Sequence, residues 1–174
     1  MTSTLVIYTT KYGTTETYAK QIATALKADL KEIANVEAHD LIFYDTVIFG
    51  APLYLGKPYH YEKVLDVIRL YPPHLFLTFL VGASHPTEEE LKLIKHLLPV
   101  QDDHLFYFPG RLDYQTLTLK DKFLMQGLKL WIKGHAKKTA DEEGILESFK
   151  HPVDLSQESY TQPLINFVNE NALN

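Results

Sequence analysis

With 174 residues, 45% hydrophobic and 22% charged, the chain has the size and composition of one folded globular domain spanning residues 1–174, and not those of a disordered segment. It contains no cysteine, which excludes disulfides, thiolate catalysis, iron–sulfur clusters and cysteine-zinc sites and leaves an organic cofactor or another metal for any redox role. A net charge of -5 and an isoelectric point near 5.9 count against nucleic acid as a general partner, and no apolar run reaches the roughly 18 residues of a bilayer span.

Residues 5–8 form a short apolar run ending in a Thr-rich turn, the pattern of a buried parallel strand. Tyr18, Ala19, Ile22, Ala23 and Leu26 then recur with helical spacing on one face. Residues 30–36 give a weaker strand, residues 46–49 a strong one, and Tyr61, Val64, Leu65 and Ile68 a second helical stripe. Residues 75–81 are again strand-like. Thr87 with Glu90 three positions on has the spacing of a capping box, and Leu91, Ile94, Leu97 and Leu98 continue that helix. Residues 105–108 supply a fifth strand, and Pro163 suits the first turn of a closing helix through Phe167 and Val168. Five strands alternating with helices predict an α/β fold: a doubly wound parallel sheet with helices on both faces and its ligands beyond the carboxyl ends of the strands. The loops at those ends are residues 9–15, 51–59, 82–86 and 109–115.

Residues 115–154 exceed this plan and read as an insertion after the last strand. They begin with a predicted helix over residues 118–133, with Leu117, Leu124, Met125, Leu128, Trp131 and Ile132 on one broad face and Leu119, Phe123 and Leu130 elsewhere. Only Lys122, Gln126, Lys129 and Lys133 make a polar strip, so the helix carries more apolar surface than one-sided packing uses. Between positions 120 and 138 six lysines stand against one acid, Asp121, a local charge of +5 that leaves -10 for the rest of the chain.

Three of the strand-end loops have chemical content. Thr10, Lys11, Tyr12, Gly13, Thr14 and Thr15 lie directly after a strand and before a helix, where backbone N–H groups and the helix dipole favour an anion. Hydroxyls at Thr10, Thr14 and Thr15 can donate to phosphate oxygens, and Gly13 permits a tight cradle; capping of the helix by Thr15 is the competing reading. Neither the dinucleotide nor the Walker glycine spacing is present. In the second loop, Pro52, Leu53, Tyr54, Leu55 and Gly56, the aromatic Tyr54 either stacks on a planar ring or covers the core at a strand end. In the third, Gly110, Arg111, Leu112 and Tyr114 follow the last strand, and Arg111 is placed to meet a ligand or to pair with Asp113. The eight histidines have no metal-ligand spacing, and no nucleophile elbow accompanies Ser84, so metal and serine-hydrolase chemistry are not expected.

The Thr-x-x-Gly-x-Thr pattern from Thr10 through Gly13 to Thr15 resembles the FMN phosphate loop of flavodoxins, with Tyr12 where that family often has Thr. The resemblance implies a flavodoxin-like fold and FMN as cofactor. It further implies Tyr54 against the isoalloxazine and backbone amides of Gly110 and Arg111 at the pyrimidine edge of the flavin. Gly110-Arg111-Leu112-Asp113-Tyr114 followed by Lys122-Phe123-Leu124 is similar to the motif and apolar-basic helix of the menaquinone-dependent protoporphyrinogen oxidase group. That likeness implies an oxidoreductase in which flavin N5 carries the chemistry and no side chain acts as nucleophile, with a quinone as acceptor. A small flavodoxin electron carrier docking a redox partner, or a cofactor-free interaction domain on the same scaffold, are the alternatives. The start of the chain lacks signal-peptide features, so the expected compartment is the cytoplasm. Residues 117–138 are expected to meet the membrane periphery, a substrate, a second subunit in a dimer, or the domain itself.

Overall fold

A computed structural model of the protein describes residues 3–54, 56–96 and 98–171, Asp141 by its backbone only. The sequence expectations at Leu55 and Leu97 therefore lie outside the described residues.

The chain opens with β1 (Thr4–Tyr8), α1 (Thr14–Leu26) and β2 (Asp29–Glu32). Leu5, Val6 and Ile7 are all fully buried, because β1 lies inside a sheet covered on both faces and needs no polar side. The expected strand over residues 30–36 is shorter than its apolar stretch. Pairing ends at Tyr8 with Glu32, and beyond that point β1 offers β2 no ladder. The chain turns instead through short 3-10 segments at Ile33–Asn35 and Ala38–Phe43, sinking Ile33 and Leu41 beneath the sheet.

Next come β3 (Thr46–Tyr54), the short β4 (Lys57–Pro58) antiparallel to its end, α2 (Tyr61–Leu70) and β5 (Leu75–Gly82). The capping box at Thr87 and Glu90 is formed, with bonds of 2.8 and 3.3 Å, and opens α3 (Glu88–His96). β6 (Leu105–Pro109) completes the parallel sheet, whose order is β2-β1-β3-β5-β6. The order reverses after β2, so a crevice opens beyond the carboxyl ends of β1 and β3.

Successive side chains along each strand serve opposite faces. Val6, Ile48, Leu77 and Phe79 pack with Tyr18, Ile22, Leu164 and Val168 of the first and last helices, whereas Leu5, Ile7, Val47 and Phe49 pack with Tyr61 and Val64 of α2. Pro163 sits in the first turn of that last helix (Gln162–Asn171).

Two short strands and a helix between β6 and the closing helix go beyond what the sequence predicts. Arg111–Leu112 (β7) pairs antiparallel with Val153–Asp154 (β8), and between them α4 (Leu119–Lys133) is followed by α5 (Ala140–Ser148), so that the closing helix is α6. α4 begins one residue after Thr118, whose hydroxyl accepts from Asp121 N at 3.2 Å as its N-cap. No helix among the described residues is long and apolar enough to cross a membrane. None of their His, Asp and Glu side chains gather into a metal-binding group.

Candidate functional site

The first loop is held by the sheet: Thr9 N donates to Gly50 O at 2.9 Å, continuing the register of β1 beside β3. Gly13 is the N-cap of α1, at φ +91°, a backbone state in which any side chain is strained. It brings no capping group, and the helix start has no side-chain cap bond. Thr15, one residue inside the helix and buried, is not the cap, which removes that competing reading. Thr10 Oγ1 accepts from Gly13 N at 3.0 Å and closes the loop on itself, while its hydroxyl proton stays available to an acceptor.

In the second loop β3 turns back through Gly56, at φ +75°, into β4, and Pro52 O accepts from Tyr59 N at 3.0 Å. Tyr54 belongs to neither core cluster. Its ring meets the edge of Tyr59 at 5.7 Å, and the Lys11 ammonium lies 3.8 Å from its centroid.

A residue that the sequence reading left aside joins these loops. Asp121, in the first turn of α4 and 5% exposed, accepts from Lys11 Nζ (2.7 Å) and Tyr12 OH at Oδ2, and from Tyr54 OH (2.8 Å) at Oδ1. Burial alone would raise its pKa, but hydrogen bonds from Lys11, Tyr12 and Tyr54 outweigh that and lower it to about 2. The converse holds for Lys11: burial opposes its charge, yet the bond to Asp121 leaves its pKa above the ordinary value. Tyr12 thereby has a reason to stand where a Thr was expected, because a longer side chain reaches across to α4. The one signal available in the sequence was a lone acid among six lysines.

The third loop divides its candidates. Gly110 N donates to Gly82 O at 2.7 Å and Gly110 O accepts from Leu155 N at 3.1 Å, so the expected donation from this amide to a flavin is corrected: it is spent on the sheet. Glycine is required there because a Cβ would lie 2.4 Å from Val81 Cγ1. Arg111 is exposed and 3.8 Å from Asp113. Tyr114 packs on Phe149 at 4.5 Å and accepts from Gln126 Nε2 at 2.8 Å, away from the other candidates, which corrects its assignment to a ligand.

These loops border one cavity of about 620 Å³, within the range of cofactor sites. Thr10, Lys11, Tyr12, Thr14, Thr15, Pro52, Leu53, Tyr54, Gly56, Arg111 and Leu112 all line it; Gly13, Gly110 and Tyr114 do not. Its roof is α4. Leu117, Leu124, Met125, Leu128, Trp131 and Ile132, the six residues expected on one helical face, all face the cavity, and only Leu117 and Ile132 among them are buried. Thr139, Glu142 and Ile145 close the far end, where Glu142 is 2.8 Å from His135 and the His135 ring lies 4.1 Å from Trp131. A glycine-capped helix start with hydroxyls at one end and an apolar wall along the rest suits a phosphate attached to a planar apolar body.

Comparison with protein families supplies the decisive match: a model described as "Flavodoxin domain" covers residues 5–140. The chain belongs to the flavodoxin-domain family. The strand order of this flavodoxin-domain protein is the one expected of it. Solved structures similar to it include a flavodoxin from the domain Archaea, 17% identical over 85% of this chain and 97% of that one, with a TM-score of 0.47. Others are the oxidised Flavodoxin 2 from Bacillus cereus (21%, 62% and 84%, 0.44) and a flavoprotein in complex with FMN from Lactobacillus acidophilus NCFM (19%, 63% and 91%, 0.43). The family match and the strand order carry the fold assignment without them. No curated protein matches the chain.

Proposed function

We propose that this flavodoxin-domain protein binds FMN in the roofed cavity and acts as an oxidoreductase, with residues 115–154 as an insertion in a single domain. The observation that carries the reading is the start of α1: a positive-φ glycine cap, no capping side chain, and the Thr10, Thr14 and Thr15 side chains at the rim of a 620 Å³ cavity with apolar walls. Those residues fit the phosphate, since hydroxyls and N–H groups at a helix start address an anion without a cation of their own. When bound, FMN supplies electron or hydride transfer at its ring. Tyr54 orients that ring, Leu112 and Arg111 border it, and the apolar side of α4 excludes water from it.

The roof favours a small organic reactant over a protein docked directly on the flavin, because α4 and α5 stand where a partner protein would have to approach. By resemblance that reactant is of the protoporphyrinogen type with a quinone acceptor. The outer face of α4 fits this reading: Leu119, Phe123 and Leu130 are 86, 82 and 73% exposed, and Lys120, Lys122, Lys129 and Lys133 share the helix, as at a peripheral membrane contact. The electron-carrier alternative keeps the same flavin site and loses only the organic substrate.

The visible spectrum of the purified protein tests the cofactor. Replacing Thr10 and Thr15 together with Ala removes two hydroxyls that address a charged group, about 1.5 kcal/mol each. FMN affinity is therefore expected to fall about a hundredfold while riboflavin affinity changes little; equal losses for both would refute the phosphate assignment. Anaerobic titration with protoporphyrinogen and a menaquinone analogue then separates the enzyme from the carrier.

A further inference from the structure

Asp121 belongs to no part of the phosphate cradle, yet three residues of the two flavin-flanking loops converge on it. Lys11 and Tyr12 come from the first loop and Tyr54 from the second, and all four side chains border the same cavity. The carboxylate is fixed from its own side as well. Its backbone N–H is bonded to Thr118 Oγ1 at 3.2 Å, and Lys122 N donates to Thr118 O at 2.8 Å, which ties it into the first turn of α4. Its side chain is 6% exposed against 22% for Lys11, so the two charges stabilise each other where water reaches them little.

Two consequences follow from these distances. Tyr54 is held by its hydroxyl while the Lys11 ammonium sits 3.8 Å from its centroid, so one face of the ring is occupied and a planar ligand meets the other. The ion pair also cancels the lysine charge, and the cavity presents a neutral wall at this point instead of a cation. We infer that Asp121 is a positioning residue for the flavin: it selects the face of Tyr54 on which the ring stacks and, by neutralising Lys11, keeps the reduction potential lower than a free lysine would set it. The inference rests on the FMN reading of this cavity. Its electrostatic sense is simple. Reduction adds negative charge to the flavin, so an unbalanced cation nearby raises the potential and an unbalanced carboxylate lowers it.

Three variants of the FMN-loaded protein test this by redox titration. Asp121→Asn keeps the shape and an acceptor oxygen for Tyr54 while leaving Lys11 unbalanced, and is expected to shift the equilibrium toward reduced flavin about tenfold, a rise of about 30 mV for a two-electron couple. Lys11→Met leaves Asp121 unbalanced and is expected to shift it about tenfold the other way. The double variant Lys11→Met/Asp121→Asn has neither charge and is expected to return to within about threefold of wild type, which a merely structural role would not produce. Should Asp121→Asn fail to fold, the opposite shift in Lys11→Met still carries the test. FMN binding with potentials that do not move, or that move in one direction in both single variants, overturns this inference alone. Wild-type protein that takes up no FMN overturns the FMN reading and this inference with it.

Discussion

The floor and the roof of the cavity are built by different means. The floor is made of strand ends and the loops leaving them, whose positions follow from ladder bonds such as Thr9 N to Gly50 O and Gly110 N to Gly82 O and from side chains with no exposure at all. The roof is α4 followed by α5; most of the inward face of α4 is unburied, and it is joined to the first two loops by one carboxylate that gathers three donors. A floor of this kind is rigid before any ligand arrives, which is what recognition of a small anion needs; a roof whose polar ties include Asp121 at one end and the bond from Ala140 N to Glu90 Oε1 (2.9 Å) at the other, with few buried apolar contacts between, can be displaced at modest cost. Preorganisation therefore resides in the sheet, and access resides in α4.

Breaking the floor has the largest expected effect. A Cβ at Gly50 would fall 2.0 Å from the Phe79 ring, and Phe79 is itself fully buried and stacked on Phe108 at 5.2 Å, so it has nowhere to go. Gly50→Ala is expected to lower stability by about 3 kcal/mol in urea unfolding and to weaken every ligand of the cavity together. Wild-type stability would mean that the floor yields, and the contrast with the roof would vanish. The matching change in the roof is milder. Gly144, in the middle of α5, approaches the Ala83 carbonyl so closely that a Cβ would lie 2.6 Å from its oxygen, but α5 can move outward as a unit. Overpacking of about 2 kcal/mol is partly offset by about 1 kcal/mol of helix propensity gained over glycine. Gly144→Ala is thus expected to cost about 1 kcal/mol and to speed amide exchange in α5 without affecting β5; faster exchange in both would contradict an independent roof.

The same division governs what could be read from the residues alone. Four of the five parallel strands were legible because apolar runs buried inside the sheet have few other uses, whereas the edge strand β2, with no buried residue, was expected over residues 30–36 and ends at Glu32; the inward side of α4 was legible because helical spacing marks it whether it meets core or cavity. α5 was not, because Gly144 looks like a helix breaker until the carbonyl of Ala83 is seen beside it, and the two-residue strands β7 and β8 are too short to leave a pattern. Asp121 was hidden for a different reason. Its partners lie 67 to 110 positions away, and nothing in local periodicity reports a contact that only the return of α4 over the sheet edge creates. Tyr114 was misassigned by the converse error: it follows a strand end in sequence, but the pairing of β7 with β8 carries the chain away from the cavity before Tyr114 is reached.

Acid should release the roof before the floor, and Tyr12 sets by how much. Asp121 has a pKa near 2 in the folded protein against about 3.9 for an unconstrained carboxyl, so its tie is fully present above about pH 4 and is lost as the pH falls through about 2. Trp131, the single tryptophan, stands on α4 and is 60% exposed, which makes its fluorescence a reporter of the roof. A change in Trp131 emission between pH 4 and 2 is expected in wild type and should be smaller in Asp121→Asn, which has lost the carboxylate that ties α4 to the loops. Tyr12→Phe removes one of the three donors. The net worth of that hydrogen bond is about 1 kcal/mol, so the midpoint should rise by about 0.7 of a pH unit while urea stability at pH 7 falls by about as much as the bond is worth. A midpoint unmoved by Tyr12→Phe would mean that Lys11 and Tyr54 hold α4 without it, and the tyrosine in the first loop would then need another explanation.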